Sequence, residues 1–123
     1  MKIENCPITF SSTSLGADIT SHAMSLQHIA MYCIQIVMSG TPTGTFKLQL
    51  SLDEGAPSAN TYDAKVAGVT NWTDVGDSQQ NVTDAGSVTW NVADSAYNWV
   101  RVVYLRDSST GTITSARANL KGV

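Results

Sequence analysis

The run Ile29-Ala30-Met31-Tyr32-Cys33-Ile34-Gln35-Ile36-Val37-Met38 decides the fold class, together with the turn Ser39-Gly40-Thr41-Pro42-Thr43-Gly44 and the run Thr45-Phe46-Lys47-Leu48-Gln49-Leu50-Ser51-Leu52 that follow it. Tyr32, Ile34, Ile36 and Met38 recur with period two, which places them on one face of a strand. Met31, Cys33, Gln35 and Val37 form the other, mixed face. In the second run Phe46, Leu48, Leu50 and Leu52 point one way, and Lys47, Gln49 and Ser51 the other. It is the cleanest amphipathic strand in the chain. The intervening turn carries two glycines and a proline. Alternating runs joined by such a turn predict a β-hairpin.

The pattern continues toward the C-terminus. Asn71-Trp72-Thr73-Asp74-Val75 is a short strand, and Gln79 to Thr83 another, closed by Asp84-Ala85-Gly86. Ser87-Val88-Thr89-Trp90-Asn91-Val92 alternates, with Val88, Trp90 and Val92 together. In Trp99-Val100-Arg101-Val102-Val103-Tyr104-Leu105, Val100, Val102 and Tyr104 oppose Trp99, Arg101, Val103 and Leu105. Asp107 to Gly111 is a turn and Thr112 to Leu120 the last strand. Alternating strands broken by turns about every 8–12 residues are the signature of an antiparallel sandwich. The expected fold is all-β, an antiparallel β-sandwich spanning residues 1–123 as a single domain.

Toward the N-terminus the reading is looser. Ile19, Met24 and Leu26 fit strands, although a short helix fits there as well, and residues 1–16 read as an N-terminal arm. Residues 53–69 follow neither period and hold two glycines, Pro57 and four alanines. So long an irregular stretch reads as a loop, either functional or a tolerated surface insertion.

Composition bounds the rest. Of 123 residues 42% are hydrophobic, enough for a core, while 14% are charged, against about 25% in an ordinary soluble domain. Area scaling buries roughly two-thirds of the unfolded surface at this length. Ser and Thr make up close to a quarter of the chain, which suits pleated structure better than long helices. A net charge of −3 lacks the basic footprint of a nucleic-acid binder. No run reaches the roughly 18 apolar residues of a membrane span. Met1 to Phe10 lacks an apolar stretch followed by a small-residue cleavage site, so no export signal is expected. Cys6 and Cys33 therefore read as two reduced core thiols, with a disulfide between them as the alternative.

Four blocks resemble a recurring pattern in small bacteriophage structural proteins. They are Gly40-Thr41-Pro42-Thr43-Gly44-Thr45-Phe46-Lys47-Leu48-Gln49; Thr70-Asn71-Trp72-Thr73-Asp74-Val75; Gly86 to Val92 running on through Tyr97 to Tyr104; and Ser109 to Thr114 ending at Lys121-Gly122-Val123. They span most of residues 30–123. The order Leu-Gln-x-Ser, Asn-Trp-Thr and Trp-Val-Arg also resembles discoidin-type (galactose-binding-like) jelly rolls. The phage resemblance implies a virion component, a capsid decoration protein or a head or tail accessory. Such a protein assembles in the host cytoplasm, acts by docking rather than by chemistry, and partners capsid or other virion proteins, as a homo-oligomer with a trimer as the family-based expectation. The alternative is a carbohydrate- or receptor-binding sandwich of a tail or adhesion apparatus.

No catalytic constellation emerges. His22 and His28 are six apart, wrong for a metal pair on one strand face, and no nucleophile is matched to either. No cofactor is expected. Asp53, Glu54 and Asp63 share the long loop with Tyr62; they read as solvated loop residues, with calcium ligation the sharper alternative. Asp74 and Asp77 flank Gly76 as turn formers. Asn71-Trp72-Thr73 and Asn81-Val82-Thr83 match the glycosylation sequon, unused without secretion. Trp90 reads as core and Trp72 as core or half-buried. Trp99 lies on the Arg101 face, away from Val100 and Val102, and is the candidate aromatic for an interface or for stacking on a ligand. Arg101 sits mid-strand, where a charge needs a partner such as an aspartate or a subunit contact. Arg106 and Arg117 read as solvated residues near strand ends. Binding, if any, is thus expected at Trp99, Arg101 and Trp72 and at Asp53, Glu54, Tyr62 and Asp63 of the loop.

Overall fold

The computed structural model describes residues 3–26, 29–53, 69, 71–93 and 97–122. They form two antiparallel sheets packed face to face, a β-sandwich. The strands are β1 (Ile3–Pro7), β2 (Ile19–Thr20), β3 (Met24–Ser25), β4 (Ile29–Gly40), β5 (Thr43–Ser51), β6 (Thr73–Asp74), β7 (Gln80–Val82), β8 (Gly86–Val92), β9 (Trp99–Ser108) and β10 (Gly111–Gly122). The first sheet has the order β1-β10-β4-β8. In the second, β9 and β5 pair centrally, flanked by β2 and β3 on the β9 side and by β6 and β7 on the β5 side. Among the described residues there is no helix, so the stretch around Ile19 to Leu26 resolves into β2 and β3.

Alternation sets the core. Tyr32, Ile34, Ile36 and Met38 of β4 face inward, as do Phe46 and Leu48 of β5, Val88 and Trp90 of β8, and Val100, Val102 and Tyr104 of β9. In β10 the inward set changes parity, from Ile113 to Ala116, Ala118 and Leu120. A register shift between Ile113 and Ser115 supplies the extra residue that a β-bulge inserts. The aromatics join the layers: the Phe46 ring lies 4.6 Å from Tyr104 on its own sheet and meets Trp90 of the other sheet edge-on at 6.4 Å.

The expected hairpin does not form. β4 is flanked by β10 and β8, and β5 by β9 and the β6–β7 pair, so neither has a free edge for the other. Gly40 turns the corner in a left-handed conformation (φ 86°), and a Cβ there would sit 2.9 Å from Gly111 Cα. Pro42, which has no N–H for a ladder, is buried in the corner. The chain therefore crosses to the opposite layer. Leu52 departs from its expected inward face as well: β5 ends at Ser51, and Leu52 is 65% exposed.

From Ile3 onward the stretch read as an arm is woven into the sandwich. β1 pairs with β10, and Cys6, Ile8 and Leu15 are buried. Neither cysteine is in a disulfide. Cys6 opposes Ala118, which opposes Ile34, whereas Cys33 opposes Asn119. The thiols thus lie on opposite faces of one sheet and two strands apart, about 9–10 Å, which no disulfide spans.

Each side of the second sheet is split into two short strands, and a serine bridges each gap. Between β2 and β3, Ser21 Oγ accepts the Val102 N–H at 2.8 Å. On the other side Ser78 Oγ accepts the Leu48 N–H at 3.0 Å and donates to the Val75 carbonyl at 2.7 Å. The Ser78 carbonyl takes the Trp90 indole N–H at 2.7 Å. A buried N–H left without a ladder partner is costly, so these hydroxyls allow the sides to be interrupted.

Two substitutions measure these contributions by denaturant unfolding. Phe46→Ala is expected to destabilise the fold by about 3–5 kcal/mol, because it empties the contact between Tyr104 and Trp90. Ser78→Ala is expected to cost about 1–3 kcal/mol by orphaning the Leu48 N–H.

Candidate functional site

The antiparallel register of β5 and β9 pairs Gln49 with Arg101, Lys47 with Val103 and Ser51 with Trp99. The register of β5 with β6 pairs Gln49 with Asp74. Directly opposed residues share a face, so Asp74, Gln49 and Arg101 form one row across the outside of the second sheet. Their side chains are linked in sequence. Lys47 Nζ donates to Asp74 Oδ2 and Gln49 Nε2 to Asp74 Oδ1, both at 2.8 Å. Arg101 Nε donates to Gln49 Oε1 at 2.8 Å. The guanidinium carbon of Arg101 lies 4.3 Å from the centre of the Trp72 ring, within cation–π range.

Charge and burial follow from this geometry. The Lys47 and Gln49 donors, Lys47 first, hold the Asp74 carboxyl below its usual range. The Lys47 side chain is 13% exposed and that of Asp74 is 48%, so the pair is an exposed ion pair of modest strength. Burial pulls the Arg101 guanidinium below its ordinary value, and an arginine remains cationic there.

A second cluster adjoins this row at the end of β5. Asp53 accepts from the Asn71 backbone N–H at 2.8 Å and from Asn71 Nδ2 at 3.0 Å through its carboxylate. Its carbonyl accepts from Trp99 Nε1 at 3.0 Å and from Asn98 Nδ2 at 3.3 Å. Asp53 is thus a clasp tying the end of β5 to Asn71 and to the start of β9.

Of the residues expected to bind, Trp72 and Arg101 come into contact, and Asp53 and Trp99 hydrogen-bond to each other. Glu54, Tyr62 and Asp63 lie outside the described residues, as does His28. Trp99 departs from its expected role. It is 3% exposed, because the chain leaving β5 brings the Asp53 carbonyl onto its indole N–H, and a buried ring has no face for a ligand. Within the chain Arg101 takes a glutamine as its partner, where an aspartate or a subunit contact was expected. Asp74 is a strand residue bonded to Lys47 and not a turn former. Arg117 lies in the middle of β10 instead of near its end and donates to Asn5 Oδ1 at 2.8 Å. His22 is buried, with its ring Nδ1 accepting the Thr9 N–H at 3.0 Å.

Gln49, Lys47 and Ser78 carry bonds that sequence reading missed. The outward faces of Lys47 and Gln49 follow from alternation, but their partners follow only from the register of β5 against β6 and β9. Nothing local to Ser78 marks it out. Comparison with family models, curated proteins and solved structures finds no match to this chain.

The Asp74 shift has a consequence for acid stability. A carboxyl with a depressed folded pKa stabilises the fold above its unfolded value of 3.8, and that contribution disappears as pH falls through the lower folded value. Asp74→Asn is therefore expected to melt lower than the wild type at pH 6, with the gap narrowing as pH falls below 3.8. Melting temperatures of both proteins across this range test it, and a pH-independent gap counts against the linkage.

Proposed function

We propose that this chain is a bacteriophage virion structural protein, a capsid decoration component that docks on the particle as a homo-oligomer. The observation that supports docking is the outer face of the first sheet. Its cross-strand rows run Asn5, Asn119, Cys33, Asn91 and Pro7, Arg117, Gln35, Thr89. Among the described residues of this face, Arg117 and Lys121 carry the only charges. Covering such a face strips water from few ions, so desolvation is cheap. Its amides are partly organised already, with Asn5 Nδ2 donating to Asn119 Oδ1 at 2.7 Å.

Docking through the face is favoured over strand addition at the edges. The sides of the second sheet consist of strands of two or three residues, which make poor templates for pairing. On β8 the Gln80 side chain donates to the Thr89 carbonyl at 2.8 Å, so part of that edge is also occupied. The virion setting draws its support from the four sequence blocks, which fall on β5, on β6, on β8 with β9, and on β10. For the alternative, a glycan-binding sandwich, Trp90 and Trp99 offer nothing in favour. Trp90 and Trp99 are buried, and Arg101 lies over the ring of Trp72.

Light scattering of the purified chain is expected to show a homo-oligomer, with a trimer as the family-based expectation. Gln35→Asp combined with Thr89→Asp, two outward positions paired across β4 and β8, is expected to release monomers without unfolding them. The chain is expected to co-sediment with particles assembled from a major capsid protein encoded beside it. A strictly monomeric protein that fails to co-sediment, or a gene with no virion genes around it, overturns the reading.

A further inference from the structure

Arg101 is held at its Nε end, and its outer nitrogens bond to none of the described residues. Its Nε is tied to Gln49 Oε1, Gln49 is tied to Asp74, and Asp74 is tied to Lys47, so the guanidinium is fixed through a chain of three 2.8 Å bonds. The Trp72 ring lies against its guanidinium carbon. Among the described residues neither Nη1 nor Nη2 has a hydrogen-bond acceptor, and no carboxylate pairs with this arginine. Lys47 and Asp74 cancel each other, so Arg101 supplies the net positive charge of the row on a chain whose net charge is −3. A guanidinium fork whose plane is already set loses little freedom on binding, and its two outer nitrogens match the two oxygens of a carboxylate.

We propose that the outer edge of Arg101 is a carboxylate-recognition site, occupied by the aspartate or glutamate side chain of a protein that docks on the outside of the second sheet. Charge complementarity selects the carboxylate. An acidic sugar is less favoured, because sugar rings stack on an open indole face while Arg101 occupies one face of Trp72 and Trp90 and Trp99 are buried. One partly exposed fork holds a free carboxylate only weakly, so the group belongs to a larger body that adds contacts around it. The site stands on its own geometry; that a protein fills it rests on the reading that this chain works by docking, here through the second sheet in addition to the face of the first.

The test is ¹H–¹⁵N NMR of the full chain, following the Arg101 Nε–H and Trp72 indole signals. The probes are sodium acetate, N-acetylglutamate α-amide and glucuronate, with sodium chloride at matched ionic strength as control. Acetate and the glutamate derivative are expected to shift both signals saturably in the millimolar range, and chloride is not. Arg101→Lys keeps the charge but loses the fork, and Gln49→Leu keeps the fork but frees its anchor. Each is expected to weaken binding at least about fivefold, read on the Trp72 indole signal, while the rest of the spectrum stays folded. Equal shifts with chloride, or undiminished binding in both variants, overturn the site. Saturation by glucuronate but not by acetate or the glutamate derivative overturns the protein occupant. None of these outcomes depends on the oligomeric state, so loss of the docking reading by light scattering and loss of this site are separate results.

Discussion

The corner at Gly40 to Pro42 is the constraint on which the rest depends. β4 and β5 each carry an unbroken apolar row, and each row needs a cover. Side by side in one sheet, both rows would face the same way and neither could cover the other. The left-handed turn at Gly40 and the buried Pro42 put them in opposite layers, so each row becomes the cover of the other. Phe46 then reaches Trp90 across the interior. The long strands keep crossing afterward: β8 returns to the first sheet, β9 to the second and β10 to the first.

Crossing of this kind leaves the layers with different outer surfaces. The first sheet has long neighbours throughout and presents ordered rows of amides and hydroxyls with few charges. The second has two long central strands and interrupted sides, with Ser21 and Ser78 patching the interruptions. Its outside holds the linked row of Lys47, Asp74, Gln49 and Arg101 and the Asp53 clasp. One face is broad and carries few charges, and the other centres on a single oriented charge.

The extent to which this was legible differs residue by residue. Inward positions such as Ile34, Leu48, Val102 and Trp90 could be read from period two, because burial follows alternation directly. The outward positions of Gln49 and Arg101 followed from the same rule. Their contact did not, since opposed residues in β5 and β9 are separated by the whole of residues 52–98 and their register depends on packing. Leu52 shows the limit from the other side. It continues the apolar alternation of β5, yet the ladder stops at Ser51 and the residue turns outward.

The amino-acid sequence by itself determined that this chain is all-β, which strands it has after Ile29, and which side of β4, β5, β8 and β9 is apolar, because alternation is a property of neighbouring residues. Only the tertiary structure decided that β4 and β5 lie in opposite layers and do not pair, that residues 3–16 belong to the sandwich, that Trp99 is covered, and that Arg101 rests on Trp72 with its outer nitrogens bonded to none of the described residues. Those features depend on which strand finds which edge. That choice is made by the competition of all apolar rows for cover, and no local stretch records its outcome.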